Sequence, residues 1–388
     1  MKTFQPVSKE SRIEVVDALR GFALLGVLLA NVPYGGEPPV TGLFDETLHF
    51  LYDLLISKKF ITLFSILFGF GFYIQMSRAE KKGIPFRNYF MKRMALLFLI
   101  GSIHCFVLWN GDILMSYAFG GVFLLLIRHW SVKRLIALAI LFNVLLTGIV
   151  FIGNSALGWQ VYDYDYGLAH KWFIVPTYTE YFSINYTMAP WVNFFKDMPI
   201  TLIYTFGNMI LGMIIGKLDF FHNPPKLRRT RNALMLLGFS LGLTASYFFH
   251  QVMTGALELD IPMLWVPFVL AAGMILQCLG YIALFSYLYT FPWSKKILSG
   301  FRYVGKTALS NYLLYTIFNL VLFFSWTHGP ELYGKLTMAQ TFAIALALFV
   351  LQSVLSYLWL KKNDQGPVEY LWKKLSYRVK PQANSESK

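Results

Sequence analysis

Apolar residues gather into ten long runs along this chain, each closed off by polar or basic residues. Their cores cover 17–33, 59–76, 94–110, 112–127, 134–152, 198–216, 232–250, 262–289, 308–325 and 338–360. A helix needs ~17 to 25 apolar residues to cross a hydrocarbon layer about 30 Å thick, and the runs sit at or near that length. Segments such as FLLLI (123–127) and ILFNVLLTGIVFIG (140–153) lack the alternation of a barrel strand. Lipid offers no partner to backbone polar groups, so the spans are predicted to be helical. The pattern predicts an all-α, polytopic transmembrane helical bundle of about ten spans. The eighth run holds Pro267 and Gly273 and is expected to kink, tilt or break. The third and fourth runs meet at the polar turn Asn110-Gly111-Asp112.

Between the runs, the polar segments differ in basic content. Of 34 lysines and arginines, 29 fall on alternate sides of a ten-span arrangement; the other side holds Lys58, Lys59, Lys171, Lys196 and Lys335. Basic loops stay in the cytoplasm, so both termini are expected there. The net charge of +14 then reads as a topology signal rather than a nucleic-acid footprint. A basic cytoplasmic rim also attracts anionic lipid. Residues 1–366 form one transmembrane domain on this reading. Its longest connection, 153–197, lies outside and is rich in aromatic residues, among them Trp172, Tyr181 and Trp191. Such a composition is expected to fold against the membrane face. After the last span, Val368, Leu371, Trp372 and Leu375 share one helical face, predicting a cytoplasmic interfacial helix over 367–380. Residues 381–388 are expected to be a disordered tail.

Composition agrees with the pattern: 388 residues, 56% hydrophobic, 18% aromatic and only 14% charged. A soluble domain has no use for so much apolar surface. The two cysteines, Cys105 and Cys278, both lie in apolar runs, so neither a disulfide framework nor CxxC metal spacing is present. No cleavable signal peptide is expected ahead of the first run. No metal site is expected. HExxH, the GxSxG elbow, the P-loop and the Rossmann fingerprint are all absent from a suitable context.

Polar residues inside the apolar layer are the candidates for chemistry. Asp17 and Arg20 lie three apart on one face at the start of the first span, and Asn31 lies at its end. At ~1.5 Å per residue, Asp17 to Asn31 rises roughly 21 Å, most of the way across the hydrocarbon. The pair reads either as a snorkelling arginine with its counter-ion or as a charge at a cavity mouth that holds phosphate. His104, in the outer half of the third span, is a candidate general base, with Asp112 to orient it or to bind a substrate hydroxyl. A buried histidine bonded to a carbonyl is the competing reading. Asn31, His49, Asp53 and Asn110 belong to the same outer level and are candidate substrate contacts. Gly69, Gly71, Gly212 and Gly216 suit close helix contact. Asn208, Gln277, Ser310 and Asn311 suit interhelical hydrogen bonding.

The segments VVDALRGFALLGVLLANV (15–32), TLFSILFGFGF (62–72), KRMALLFLIGSIHCFVLWNGDILMSYAFGG (92–121) and GPVEYLWKKLSY (366–377) resemble the bacterial DUF418 membrane family. That family resembles a clan of multi-span acyltransferases, including the acyltransferase-3 proteins and the lysosomal heparan-α-glucosaminide N-acetyltransferase. The resemblance implies a bacterial cytoplasmic-membrane enzyme that carries an acyl group from a cytoplasmic thioester, acetyl-CoA or another acyl-CoA, to an outer-face sugar, lipid or other envelope acceptor. Asp17, Arg20 and Gly21 match the clan's opening D-x-x-R-G. The implied roles are His104 and Asp112 as catalytic pair and Asp17 with Arg20 at the donor. A small-molecule transporter and a non-catalytic scaffold or sensor remain as alternatives, and nothing in the sequence sets the oligomeric state.

Overall fold

A computed structural model describes residues 13–31, 42–83, 85–156, 166–192, 194–222, 225–257 and 265–377. Every regular element among them is a helix. Seven helical segments are long and apolar enough to cross a membrane: Leu43–Lys81, Phe86–Leu108, Val132–Gly153, Met198–Lys217, Pro225–Val252, Val266–Leu288 and Met338–Leu360. Two more apolar helices, Leu114–Ile127 and Ala308–Phe323, are shorter. The chain is an all-α, multi-pass membrane bundle.

In chain order the first helices are α1 (Glu14–Asn31), α2 (Leu43–Leu55), α3 (Lys59–Lys81), α4 (Phe86–Ile103), α5 (Leu114–Ile127), α6 (Val132–Ile140) and α7 (Thr147–Ala156). Then follow α8 (Tyr166–Ile174), α9 (Tyr178–Met188), α10 (Phe194–Lys217), α11 (Arg228–Met253) and α12 (Val266–Leu288). The last are α13 (Pro292–Leu298), α14 (Arg302–Lys306), α15 (Ala308–Phe323), α16 (Met338–Leu360) and α17 (Pro367–Tyr377). A π-helical turn, His104–Leu108, extends α4, and another, Leu141–Leu146, joins α6 to α7. The expected break in the eighth run does not occur. Pro267 falls in the first turn of α12, where its missing N–H has no partner to lose.

The bundle is held where small residues let backbones touch. A side-chain carbon on Gly212 of α10 would lie 1.8 Å from the Ile66 carbonyl oxygen, and one on Gly69 of α3 would lie 1.9 Å from that of Met209. Buried amides then tie helices together, as expected. Gln277 accepts from Ser246 at 2.6 Å and donates to the Leu54 carbonyl at 2.8 Å. Asn311 donates to Thr307 and Ser356, both at 2.8 Å.

One helix adds to the sequence pattern. Helix α2 occupies the first connection; at 13 residues it is too short to read as a span. Its Leu43 and Phe44 face outward while Asp45 and Asp53 are buried. The described part of the connection 153–197 holds α8 and α9. Trp172 and Tyr181 stack 5.7 Å apart and pack against Trp109 and Phe324. Residues 157–165 of that connection lie outside the described residues, as do 378–388, which include the expected tail.

Helix α17 forms within the segment where the sequence placed it. Val368 is half-buried and Trp372 buried against the bundle, while Leu371 and Leu375 are exposed. Two bonds dock the helix. The Trp372 indole donates to the Arg93 carbonyl at 2.9 Å. The Glu369 carboxylate accepts from the backbone N–H groups of Leu309 at 2.6 Å and Ser310 at 3.1 Å. Thr307, at the N-cap of α15, offers no side-chain cap, so Glu369 supplies it from outside the helix.

Burial raises the Glu369 carboxyl above its ordinary 4.5, opposed by its hydrogen bonds. The folded form therefore holds its proton more readily than the unfolded one. Stability from this group is full below the ordinary carboxylate range and falls as pH rises through the raised value. Glu369→Ala is expected to lower stability by about 0.5–2 kcal/mol and to remove that pH slope, read from melting temperature and Trp372 emission across a pH series.

Candidate functional site

One face of α1 lines a cavity of about 410 Å³. Asp17, Arg20, Leu24, Val27 and Asn31 all contribute to the wall, at the three- and four-residue spacing of a single helical stripe. The cavity thus follows α1 for roughly 21 Å. At the Arg20 end it is strongly basic, with Arg78, Arg93, Lys306 and Lys373 joining Arg20 on the wall. Its middle is apolar and aromatic, with Phe64, Phe68 and Tyr117. At the Asn31 end it reaches Gly111 and Ile113, in the corner between α4 and α5.

The charged pair of α1 belongs to this cavity. The Arg20 guanidinium donates to Asp17 Oδ1 at 3.0 Å. Asp17 is buried and Arg20 half-exposed, so the carboxylate fixes the arginine at the cavity wall. On α3, Gly71 leaves space beside it: a side-chain carbon there would come within 3.2 Å of Arg20 Nη2. At the far end, Asn31 donates to its own helix at the Val27 carbonyl, 2.8 Å away.

His104 and Asp112 are brought together as the sequence suggested. His104 Nδ1 lies 2.7 Å from Asp112 Oδ2. Asp112 Oδ1 also accepts from the Met115 N–H at 2.9 Å, so one carboxylate orients the imidazole and caps α5. An ionised carboxylate only accepts, which assigns the proton to Nδ1 and leaves a lone pair on Nε2. There the Thr316 hydroxyl of α15 stands 2.8 Å away, with the Tyr312 carbonyl also within its reach at 3.5 Å. The π-helical turn begins at His104, an irregularity common at functional positions. Aspartate, imidazole and hydroxyl therefore form a fully connected chain. No sequence pattern marks Thr316, which sits 212 residues from its partner.

His104 is buried and stands behind the cavity wall rather than on it. Tyr312 connects the two, since its ring lies 5.1 Å from the imidazole and also lines the cavity. The remaining candidates do not join this cluster. Asn110 serves the corner through its backbone, donating to Asn185 Oδ1 at 2.8 Å. Asn185 in turn donates to the Cys105 and Phe106 carbonyls, so α9 closes the end of the π-helical turn. His49 and Asp53 lie on α2, off the cavity, and meet His250 of α11.

Comparison with known proteins places this architecture among bacterial membrane proteins. Residues 215–379 match the family model described as "Protein of unknown function (DUF418)". Over 97% of both chains, the protein is 30% identical to "Uncharacterized protein YxaH" of Bacillus subtilis (strain 168). It is 27% identical to "Uncharacterized 39.9 kDa protein in amylase 3'region" of Bacillus acidopullulyticus, over 97% of this chain and 96% of that one. It is also 27% identical to "Uncharacterized protein YeiB" of Escherichia coli (strain K12), over 96% of this chain and 98% of the other. With the fold, the α1 cavity and relatives aligned nearly end to end, the chain belongs to the DUF418 family.

Proposed function

We propose that this protein transfers an acyl group from a cytoplasmic thioester, acetyl-CoA or another acyl-CoA, to an outer-face sugar, lipid or other envelope acceptor of the bacterial cytoplasmic membrane. One observation carries the reading: a single cavity follows α1 from a basic mouth at Arg20 to Gly111, Ile113 and Tyr312, with the His104–Asp112 pair directly behind that wall. Ten spans, with α1, α5 and α15 among them, put both termini in the cytoplasm. The gathering of Arg20, Arg78, Arg93, Lys306 and Lys373 at one mouth supports that orientation, since these residues all fall on the basic side of the charge map. The D-x-x-R-G opening, which resembles that of the multi-span acyltransferases, supports the chemistry.

The basic mouth holds the donor's phosphates, and Asp17 keeps Arg20 aimed at them. The acyl chain and thioester run along the apolar wall. At the far end the acceptor hydroxyl takes the place of the Thr316 hydroxyl at His104 Nε2. The imidazole accepts the acceptor's proton as its oxygen attacks the thioester carbonyl. A C–O bond forms, the C–S bond breaks, and the proton passes to the departing thiolate. Asp112 holds the tautomer and balances the imidazolium.

Transport is the second reading, favoured by the absence of His104 and Asp112 from the cavity lining. Sealed proteoliposomes separate the two. Acyl transfer places labelled acyl on an outer acceptor while CoA stays on the donor side; transport carries the intact donor across and leaves the acceptor unmodified. Arg20→Ala is expected to raise the donor KM about 10- to 100-fold, the worth of one charge-assisted phosphate contact, with a smaller change in kcat. An unaltered KM would remove Arg20 from the donor site.

A further inference from the structure

We propose that His49, Asp53 and His250 form a binding site for a divalent transition-metal ion, with zinc the best fit, clamping α2 to α11. The proposal stands apart from the acyl-transfer reading and survives its failure.

The geometry is that of a half-built coordination sphere. His49 and Asp53 are one turn apart on α2, so their side chains share a face. His250 comes from the last turn of α11. The three donor atoms all lie within 4.8 Å of one another. Both imidazoles turn the same nitrogen, Nδ1, toward the same oxygen. His250 Nδ1 stands 2.7 Å from Asp53 Oδ2 and His49 Nδ1 stands 3.8 Å from it. That oxygen has lone pairs for two N–H donors, but the 3.8 Å approach of His49 is too long for a hydrogen bond, and a cation held between the three groups accounts for their convergence. Metal bonds of ~2.0–2.1 Å in a tetrahedral site hold donors about 3.3 Å apart, between the two separations measured here. Small side-chain rotations close the sphere.

The donor set selects the ion. Two imidazoles and one carboxylate suit zinc and its neighbours, whereas magnesium and calcium prefer oxygen ligands throughout. Three protein ligands leave the fourth position open. The side chains of Asp53 and His250 are only 11% and 16% exposed, while that of His49 is 42% exposed, so the open position faces out past His49.

The surroundings hold the ligands in place. The Phe50 ring packs edge-on against His250 with centroids 5.2 Å apart. The buried Lys59 ammonium donates to the Asp53 backbone carbonyl and leaves the carboxylate to the histidines. Beyond the cluster, Gln277 and Tyr281 of α12 already bind the Leu54 and Leu55 carbonyls at the end of α2. A metal would clamp the same helix one turn earlier, to α11.

Untagged protein in lipid nanodiscs, stripped with chelator, tests the site. Zinc is titrated back, bound metal is measured after desalting, and melting temperature is followed with and without zinc. One zinc per chain and a zinc-dependent rise in melting temperature are expected for the natural sequence. His49→Ala and His250→Gln should each weaken zinc affinity by about tenfold or more while retaining the metal-free melting temperature. Should either variant lose that metal-free fold, His49→Gln gives the same comparison. Cobalt in place of zinc should give a ligand-field absorption that His49→Ala abolishes. Failure of the natural sequence to retain stoichiometric zinc, or equal retention by the histidine variants, would overturn the proposal.

Discussion

His104→Ala is expected to lower the rate of the proposed acyl transfer by about 10²- to 10⁴-fold, the usual contribution of one positioned acid–base group, while the protein remains folded. The expectation rests on the connectivity at this histidine. Its Nδ1 is committed to Asp112 at 2.7 Å, and its Nε2 faces the Thr316 hydroxyl at 2.8 Å. Removing the ring leaves Asp112 its other bond, from the Met115 N–H, so the start of α5 keeps its cap. The lost buried hydrogen bonds cost about 1–3 kcal/mol, visible as a lower melting temperature without loss of the folded peak. Asp112→Asn separates orientation from mere packing. Its amide no longer fixes the proton on Nδ1, and transfer should fall by a comparable factor although the fold is kept. The assay is labelled acyl incorporation by purified protein in nanodiscs. Full incorporation by folded His104→Ala would remove the histidine from the reaction.

The second large effect is structural. Gly212→Leu should abolish recovery of monodisperse protein from membranes. Even the first side-chain carbon there would lie 1.8 Å from the Ile66 carbonyl oxygen and 2.6 Å from the Phe70 nitrogen. Both obstacles are backbone atoms of α3, which no rotamer change can move. Gly69 faces the Met209 backbone across the same crossing, so the helices touch on both sides and cannot pivot. Overpacking by small groups costs about 1–3 kcal/mol, and a leucine against backbone exceeds that. Alanine at the same position should give a weaker, measurable loss of thermal stability. Gly300→Ala is the control, because nothing lies within 4 Å of the carbon it adds. Size-exclusion profiles and melting curves for the three variants decide the matter.

The sequence by itself determined the helices and much of the wall they build. Long apolar runs have one solution in lipid, so the expected cores fall within a few residues of helices such as Lys59–Lys81, Val266–Leu288 and Met338–Leu360. It also put His104 and Asp112, eight positions apart, at one outer corner, while the turn between them left their separation for the packing to set. Glycine spacing marked the crossing at Gly69 and Gly212, since backbone contact needs small residues.

What tertiary structure alone decided are the partners from afar. Thr316 reaches His104 across 212 positions, and His250 reaches Asp53 across 197. Hydropathy reports only whether a residue tolerates lipid, so it cannot say which polar side chains meet inside the bundle. For the same reason His49 and Asp53, grouped with His104 by depth, separate from it once α2 packs on α11. The docking of α17 was hidden likewise: its amphipathic face was legible, but Glu369 capping α15 was not. The cavity itself is a product of packing. Asp17, Arg20 and Asn31 lay in plain view along one stripe of α1, yet the space in front of that stripe exists only because α3, α4, α5 and α15 stand around it without filling it.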